Sequence, residues 1–328
     1  MNMNEIDLKL LELLHNGDFV SGEKISEEIG VSRTTIWKHI NKLKQQGYQI
    51  ESATNKGYRL VKIPDRIVPE EVYLGLKTDY IGREIKVFSS LGSTNERAKE
   101  LARKDFPTGT VVIAEEQTAG KGRLGRSWFS PPGTGLWFSL IVRPDIPPNK
   151  APFLTIIASL TLVKALSELN PELKPLIKWP NDILIDDRKV CGILSELNAD
   201  LGMINFAVIG IGINVNQDYF PEELSAKATS LKIALNTRID RTGLLQGILN
   251  FFEGYYQKLL EGRFKEILKE WKGYLNILGE SVTIYSGSET YQGRVIDISS
   301  LGELVIKDNS GKVWSFWAGD VTLRKEEN

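Results

Sequence analysis

Three glycines, one lysine, two arginines and a tryptophan fall within the twelve residues Gln117–Trp128, QTAGKGRLGRSW. A segment with so little to bury cannot build a core. It can surround a small anion: glycines let the backbone approach closely, cations neutralise charge, and an aromatic ring offers a stacking face. A solvated basic loop would have a similar composition, but glycine and cation at this density favour a loop that handles phosphate. Gly120-Lys121-Gly122-Arg123-Leu124-Gly125 spells GxGxxG. A dinucleotide fingerprint, however, joins a strand directly to a helix. Here Ser127-Trp128-Phe129-Ser130-Pro131-Pro132-Gly133 follows, and its prolines forbid that helix. No Gly-Lys-Ser/Thr closes the segment as a Walker loop would. The expectation is an irregular, mobile loop that folds over a ligand.

Three further clusters carry polar chemistry. Lys178-Trp179-Pro180-Asn181-Asp182 precedes Arg188-Lys189-Val190-Cys191-Gly192-Ile193-Leu194. Two strands joined at Asp186-Asp187-Arg188 would bring Asn181, Asp182 and Lys189 near one end of a hairpin. A lysine in an apolar strand needs an anionic partner or a route to water, and a purely structural Lys189–Asp182 ion pair would also satisfy it. Gly210-Ile211-Gly212-Ile213-Asn214-Val215-Asn216 ends a buried strand in small residues, which permits close ligand approach or marks a bulge. Ser93-Thr94-Asn95 sets two hydroxyls and an amide at a helix start, where capping explains one of them and a heteroatom-rich ring would suit all three.

The elements that must position these groups divide the chain. Ile6, Leu10, Leu13 and Leu14 share one helical face; Ile25 and Ile29 mark a second helix from Ser21 to Glu28. Gly30-Val31-Ser32 makes a turn with Ser32 as N-cap, and a third helix runs from Arg33 to Gln46 on a stripe of Ile36, Ile40 and Leu43. Tyr48–Glu51 and Gly57–Leu60 then read as a hairpin, completing the order of a winged helix-turn-helix. Charge separates the same way. Acidic residues dominate up to Ser32. Beyond it Arg33, Lys38, Lys42, Lys44, Lys56, Arg59 and Lys62 face Glu51 alone up to Lys62. The third helix and wing would therefore meet phosphates, with Arg33, Thr34, Thr35, Trp37, Lys38, His39 and Lys56 as candidate DNA contacts. A plain helical packing module with a solvated face is the alternative.

After a linker at Ile63–Arg66, strands and helices alternate. Strands are expected at Ile85–Ser89, Thr110–Glu115, Leu136–Val142, Leu176–Trp179, Ile183–Asp186, Lys189–Glu196 and Ile204–Ile213. Helices are expected at Thr94–Lys104, Ala151–Leu169, Arg241–Leu260 and Phe264–Leu275. Short links near 176–213 imply antiparallel pairing, so the middle of the chain reads as a mixed-sheet α+β domain. Beyond Gly279 only short strands remain, which suggests a small SH3-like barrel. Domain boundaries fall at 1–65, 66–278 and 279–328.

The 328 residues are 41% hydrophobic and 25% charged, with a net charge of −1, so any DNA contact must come from a local patch. The single Cys191 excludes an intramolecular disulfide and fits a reducing compartment; His15 and His39 are too few for a histidine-rich metal site. No signal pattern and no uninterrupted apolar run of membrane-spanning length is visible, so a cytoplasmic protein with no membrane contact is expected.

GKGRLGRSW, KWPND, DRKVCGIL and GIGINVN, in this order behind a winged helix, resemble the BirA-type family of bifunctional biotin–protein ligases and biotin-operon repressors. The resemblance covers the whole chain and implies a class II synthetase-like ligase domain. It also implies a two-step reaction: biotin and Mg-ATP give biotinyl-5′-adenylate, which then acylates a lysine of a biotin carboxyl carrier protein. Carried over residue by residue, Ser93, Thr94, Asn95 and Gln117 would bind the ring end of biotin. Gly120, Lys121, Gly122 and Arg123 would form the loop over biotin and phosphate; Lys121 stands where the family often has arginine. Arg123, Arg126, Trp128, Asn181, Lys189 and Asn214 would meet ATP. Lys189 would bridge carboxylate and phosphate, with Arg123 and Asp182 beside it in catalysis. The same resemblance implies magnesium carried by ATP rather than a resident metal, operator DNA as a partner, and a homodimer when the adenylate is bound. A lipoate–protein ligase is the nearest enzymatic rival, but its usual loop and the absence of a winged helix there do not match. A ligand-sensing repressor without catalysis is the rival from another class.

Overall fold

The computed structural model describes residues 5–200, 202–317 and 319–323. The chain forms two compact units, Met1–Leu76 and Lys77–Asn328.

The first unit contains α1 (Glu5–Leu14), α2 (Gly22–Ile29), α3 (Arg33–Gln45), the hairpin β1 (Gln49–Ala53) and β2 (Gly57–Lys62), and α4 (Pro69–Leu74). Ser21 and Ser32 cap α2 and α3 by accepting from Lys24 N and Thr35 N, which satisfies amides that have no intrahelical partner. Leu10, Leu14, Ile25, Ile36, Ile40 and Leu43 build the core, joined by Val68 from beyond the expected linker. α4 packs on α1, and His15 Nε2 meets the buried Glu71 carboxylate at 2.8 Å.

The second unit is built on a seven-stranded mixed sheet. In chain order it carries β3 (Ile85–Phe88), α5 (Thr94–Ala102), β4 (Val111–Ala114), β5 (Leu136–Val142), α6 (Pro152–Leu169), β6 (Leu176–Lys178), β7 (Asp182–Ile185), β8 (Arg188–Asp200), β9 (Met203–Ile213), α7 (Glu222–Ser225), α8 (Leu231–Leu235), α9 (Arg241–Leu260) and α10 (Phe264–Lys272). The strand order is β3-β4-β5-β9-β8-β7-β6, with β3 and β4 parallel and the other neighbours antiparallel. By length and composition α6 could cross a membrane, although Lys164 and Glu168 interrupt its apolar run. Its side chains are largely buried, and it packs on α9, α10 and β8 as a core helix does.

At the C-terminal end β10 (Ser281–Ser286), β11 (Glu289–Ile298), β12 (Leu304–Lys307), β13 (Val313–Phe316) and β14 (Asp320–Leu323) form an antiparallel sheet in the order β13-β12-β11-β10-β14. Val282, Ile284, Val295, Ile298, Leu304 and Ile306 are buried beneath it. The closed barrel expected here is absent among the described residues, because the two short edge strands β13 and β14 form no ladder with each other.

Candidate biotin and nucleotide site

The site rests on the two longest strands. β7 and β8 are joined through Asp186 and Asp187, both in the left-handed region at φ 49 and 58, a conformation aspartate tolerates better than most residues. Two residues further on, the register slips: Ile183 faces Cys191 while Leu184 faces Lys189. The extra residue is Val190. A bulge re-aims the side chains around it, and here it lets Lys189 and Gly192, three positions apart, both face one cavity. Val190 and Cys191 are buried, and burial pushes the Cys191 thiol well above its usual range, so it is no nucleophile.

Gly192 lies opposite Gly212 on β9, and Leu194 opposite Gly210. A Cβ on Gly212 would collide with the indole of Trp128, one on Gly192 would come within 2.9 Å of the same ring, and one on Gly210 would collide with the Asn95 amide. The three glycines therefore make a flat floor on which Trp128 and Asn95 lie. Trp128 Nε1 is buried there without a hydrogen-bond partner.

The segment expected to be an irregular loop is a small hairpin. Lys121 and Ser127 bridge, Gly122 N donates to Arg126 O at 2.7 Å, Trp128 N donates to Gly120 O at 2.9 Å, and Arg123–Gly125 make the turn with Leu124 in the left-handed region at φ 57. Gly120 forms the neck of this hairpin, where a Cβ would press within 2.6 Å of Trp128 O. It is not among the residues lining the cavity.

That cavity has a volume of about 660 Å³. Lining it are Ser93, Thr94, Asn95, Gln117, Lys121, Gly122, Arg123, Arg126, Trp128, Asn181, Asp182, Lys189 and Asn214, so every ligase-site residue anticipated from the sequence except Gly120 reaches one space.

Its uncharged end is internally satisfied. Gln117 Oε1 accepts from Thr94 N at 2.8 Å and Thr94 Oγ1 at 3.1 Å, and its amide nitrogen donates to Ser130 at 3.1 Å. Asn95 donates to Leu194 O and Glu196, and its Oδ1 lies 2.6 Å from the Ser139 hydroxyl. Ser93 occupies the N-cap position of α5 without making a side-chain capping bond. Residues fixed in this way hold a rigid polar pocket. Ser130 and Ser139 belong to this framework and were not anticipated; a serine alone carries no sequence signal.

The charged end is paired. The Lys189 ammonium stands 2.7 Å from Asp182 Oδ1, without hydrogen-bond alignment, and 4.9 Å from the Trp128 ring centre. Arg123 donates to Asn181 Oδ1 at 2.9 Å, while Asn181 Nδ2 donates to Ile193 O. Lys121 is drawn to Glu96 at 2.6 Å, and this contact, with that of Lys99, holds the Glu96 carboxyl down to about 2. Asn214 uses its amide on the Lys189 and Thr229 carbonyls, which ties the segment after β9 to the bulge. That segment also exchanges backbone bonds with Lys189 through Lys227 and Thr229. Among the described residues no three His, Cys, Asp or Glu side chains are placed to hold a metal ion.

In the first unit Arg33, Thr34, Trp37, Lys38 and Lys56 stand exposed. Two residues expected with them are engaged within the unit, His39 inward and Thr35 at the surface. Thr35 is engaged by the Ser32 cap, and His39 Nδ1 meets the buried Asp7 carboxylate at 2.6 Å, which Lys42 also reaches at 2.5 Å. Asp7 was not flagged as special, since an acidic residue in the first turn of a helix is ordinary.

Three family models match: the biotin/lipoate A/B protein ligase family over residues 87–214, an HTH domain over 7–59, and the biotin protein ligase C-terminal domain over 277–324. The bifunctional ligase/repressor BirA of Bacillus subtilis is 41% identical over 96% of this chain and 97% of its own length. That of Escherichia coli is 30% identical over the full length of both. The biotin protein ligase of Aquifex aeolicus, solved with biotin and ATP, superposes with a TM-score of 0.64 at 31% identity, covering 74% of this chain and all of its own. With a helix-turn-helix unit, a mixed-sheet ligase domain and a C-terminal β domain in that order, this chain belongs to the family of bifunctional biotin–protein ligases and repressors.

Proposed function

We propose that this chain activates biotin with ATP to biotinyl-5′-adenylate, passes the biotinyl group to a lysine of a biotin carboxyl carrier protein, and represses transcription in response to the adenylate. One observation carries the ligase reading: Lys189 and Arg123 reach the same cavity as the uncharged pocket of Ser93, Thr94 and Gln117. Biotin presents a polar ring at one end and a carboxylate at the other. The ring would lie in the uncharged pocket, with its carboxylate at Lys189.

Attack of that carboxylate on the α-phosphate brings two anions together, so catalysis rests on charge neutralisation and alignment. Lys189 would leave Asp182 to bridge carboxylate and phosphate, and Arg123 would leave Asn181 to meet the phosphate. The Trp128 indole would offer the adenine a face and, through its unpartnered N–H, a hydrogen-bond donor. Magnesium would enter as Mg-ATP, and Asp182, which lines the cavity, would be a carboxylate open to it once Lys189 has moved. The hairpin Lys121–Ser127 would then shield the mixed anhydride from water.

We read the first unit as a winged helix-turn-helix, with β1 and β2 as wing, and the C-terminal sheet as an SH3-like fold whose edges β13 and β14 would close. Domains at 1–65, 66–278 and 279–328 would serve DNA binding, ligation and support of the ligase. One recognition helix binds weakly, so specific repression calls for a homodimer on a two-fold operator. Chemistry that joins ATP, a carboxylase subunit and operator DNA belongs in the cytoplasm. Pyrophosphate release from biotin plus ATP, followed by transfer to carrier protein, tests the ligase reading; no release leaves a sensor without catalysis. Operator isotherms without ligand, with biotin, and with biotinyl-adenylate test the repressor reading; equal affinity in all three states sinks the coupling.

A further inference from the structure

The two asparagines of GIGINVN part company in the fold. Asn214 lines the reaction cavity, whereas Asn216 does not and is only 4% exposed. Its backbone N–H donates to Thr134 O at 2.6 Å. Its side chain donates to Ile239 O and accepts from Ile239 N, both at 2.9 Å. Two residues beyond Ile239, Arg241 opens α9 and is also buried, at 5%. Its guanidinium donates to Glu115 Oε2 at 2.8 Å and to Gly135 O at 3.1 Å. Neither Arg241 nor Glu115 lines the cavity.

The partners of Asn216 and Arg241 are the feet of the lid hairpin. Backbone bonds climb the hairpin from Gly133 N to Glu115 O, through Gln117 N to Ser130 O and Trp128 N to Gly120 O, up to Gly122 N to Arg126 O. Glu115 stands at the foot of the rising side, and Thr134 and Gly135 at the foot of the returning side. Arg241 grips both feet, Asn216 grips the returning one, and the Asn216–Ile239 pair sets the place from which Arg241 reaches. On its other flank the same short segment is tied to the site, because Asn214 donates to the Lys189 and Thr229 carbonyls. The stretch from Asn214 to Asn216 thus joins the bulge that carries Lys189 to the base of the hairpin that carries Arg123. A buried ion pair gains little net stability, since desolvation offsets its attraction. Its directional bonds still fix geometry. We infer that Asn216 and Arg241 are positioning residues that hold the lid hairpin over the adenylate between the two steps of the reaction. Neither touches substrate; they act through Glu115, Thr134 and Gly135. The hairpin is a lever, so a small tilt at its feet becomes a larger displacement of Arg123 at its tip. Such a tilt would slow adenylation and would also let the mixed anhydride escape before a carrier lysine arrives.

This inference rests on the ligase reading, and one assay separates the two. The full chain is given biotin, Mg-ATP and a biotin carboxyl carrier domain, and pyrophosphate released and biotin transferred are counted together. Asn216→Ala removes the Ile239 tie, and Arg241→Lys replaces a planar fork by a point charge on a flexible stem. Each should raise the pyrophosphate released per biotin transferred roughly two- to tenfold, the span that one lost hydrogen bond commands. Ile248→Val, a truncation on the buried face of the same helix, should lower the melting temperature without moving that ratio. An unchanged ratio in both clamp variants overturns the inference and leaves the ligase reading standing. A rise of the same size in Ile248→Val also overturns it, because loosening anywhere on α9 would then suffice. Where one clamp variant does not fold, the ratio in the other decides. No pyrophosphate from the unaltered chain removes the ligase reading and the clamp with it.

Discussion

The two units deploy positive charge in opposite ways. In the first, Lys38, Lys44 and Lys56 stand in water along α3 and the hairpin, and Arg33 pairs only loosely with Glu23 at 3.4 Å between exposed side chains. In the second, three cations facing the cavity are engaged: Lys189 with Asp182, Arg123 with Asn181, Lys121 with Glu96. A polyanion such as DNA needs only an accessible basic face, because released counterions drive its binding. A single small anion must be placed to within a fraction of an ångström, and a half-buried cation waiting for it needs a partner meanwhile. On the proposed reading, ligand binding at these three residues is an exchange of partners, whereas at the exposed cations of the first unit it is an addition of them.

The largest expected effect breaks that exchange. Lys189→Ala removes the cation proposed to be shared by carboxylate and phosphate and should lower the adenylation rate by roughly 10²–10³, the range seen when one transition-state donor is lost. Pyrophosphate release measures it, and a rate within a few-fold of the unaltered chain would show that Lys189 pairs with Asp182 for structure alone. Next comes the floor. Gly212→Ala places a methyl group against the Trp128 indole, which must tilt off the sheet. Overpacking of this kind costs about 1–3 kcal/mol, so the KM for ATP should rise roughly tenfold or more. Unchanged ATP affinity would detach Trp128 from the nucleotide. On the DNA side Lys38→Ala should weaken operator binding several-fold and reduce the slope of log K against log salt by about 1. Salt titration of the operator isotherm reads the slope directly, and a change in adenylation rate instead would blur the contrast between the units.

How much of this was legible beforehand follows from the range over which each feature is determined. The helix-turn-helix order was readable because Ser21 and Ser32 cap their helices locally and the Ile36, Ile40 and Leu43 stripe needs only 3.6-residue periodicity. The residues that line the cavity were legible through glycine density and the family resemblance. Their geometry was not. The bulge at Val190 depends on how two strands register, and no single-strand pattern encodes it. The inward turn of His39 has the same origin: its partner, Asp7, lies thirty-two positions away. Composition could not reveal that backbone bonds between Gly120 and Trp128 close the expected loop at its neck. α4 went unseen because its six residues are too few to show a period.

The smallest expected effect tests whether the first unit's titratable pair belongs to its framework or to its DNA face. His15 donates to Glu71 on α4, and that hydrogen bond, opposed by burial and reinforced by the carboxylate's charge, raises the His15 pKa above its ordinary 6.5. A raised pKa means that the folded chain binds the proton more tightly than the unfolded chain does. The stabilisation is fully present below about 6.5 and is lost as pH climbs through the higher, folded value. Because the imidazole is 39% exposed, water screens much of the interaction and the change will be slight. Thermal melts of the intact chain between pH 6 and 8.5 should show the transition of the first unit drifting downward as pH rises. His15→Gln should flatten that drift without altering the salt slope of operator binding, since the pair joins α1 to α4 and leaves the exposed cations of α3 untouched. A melt that rises with pH over this window would reverse the sign and exclude the pair as its source. A changed salt slope in His15→Gln would mean that the framework and the DNA face of this unit are one system, and the contrast between pre-paired and solvent-held cations would then hold only for the ligase.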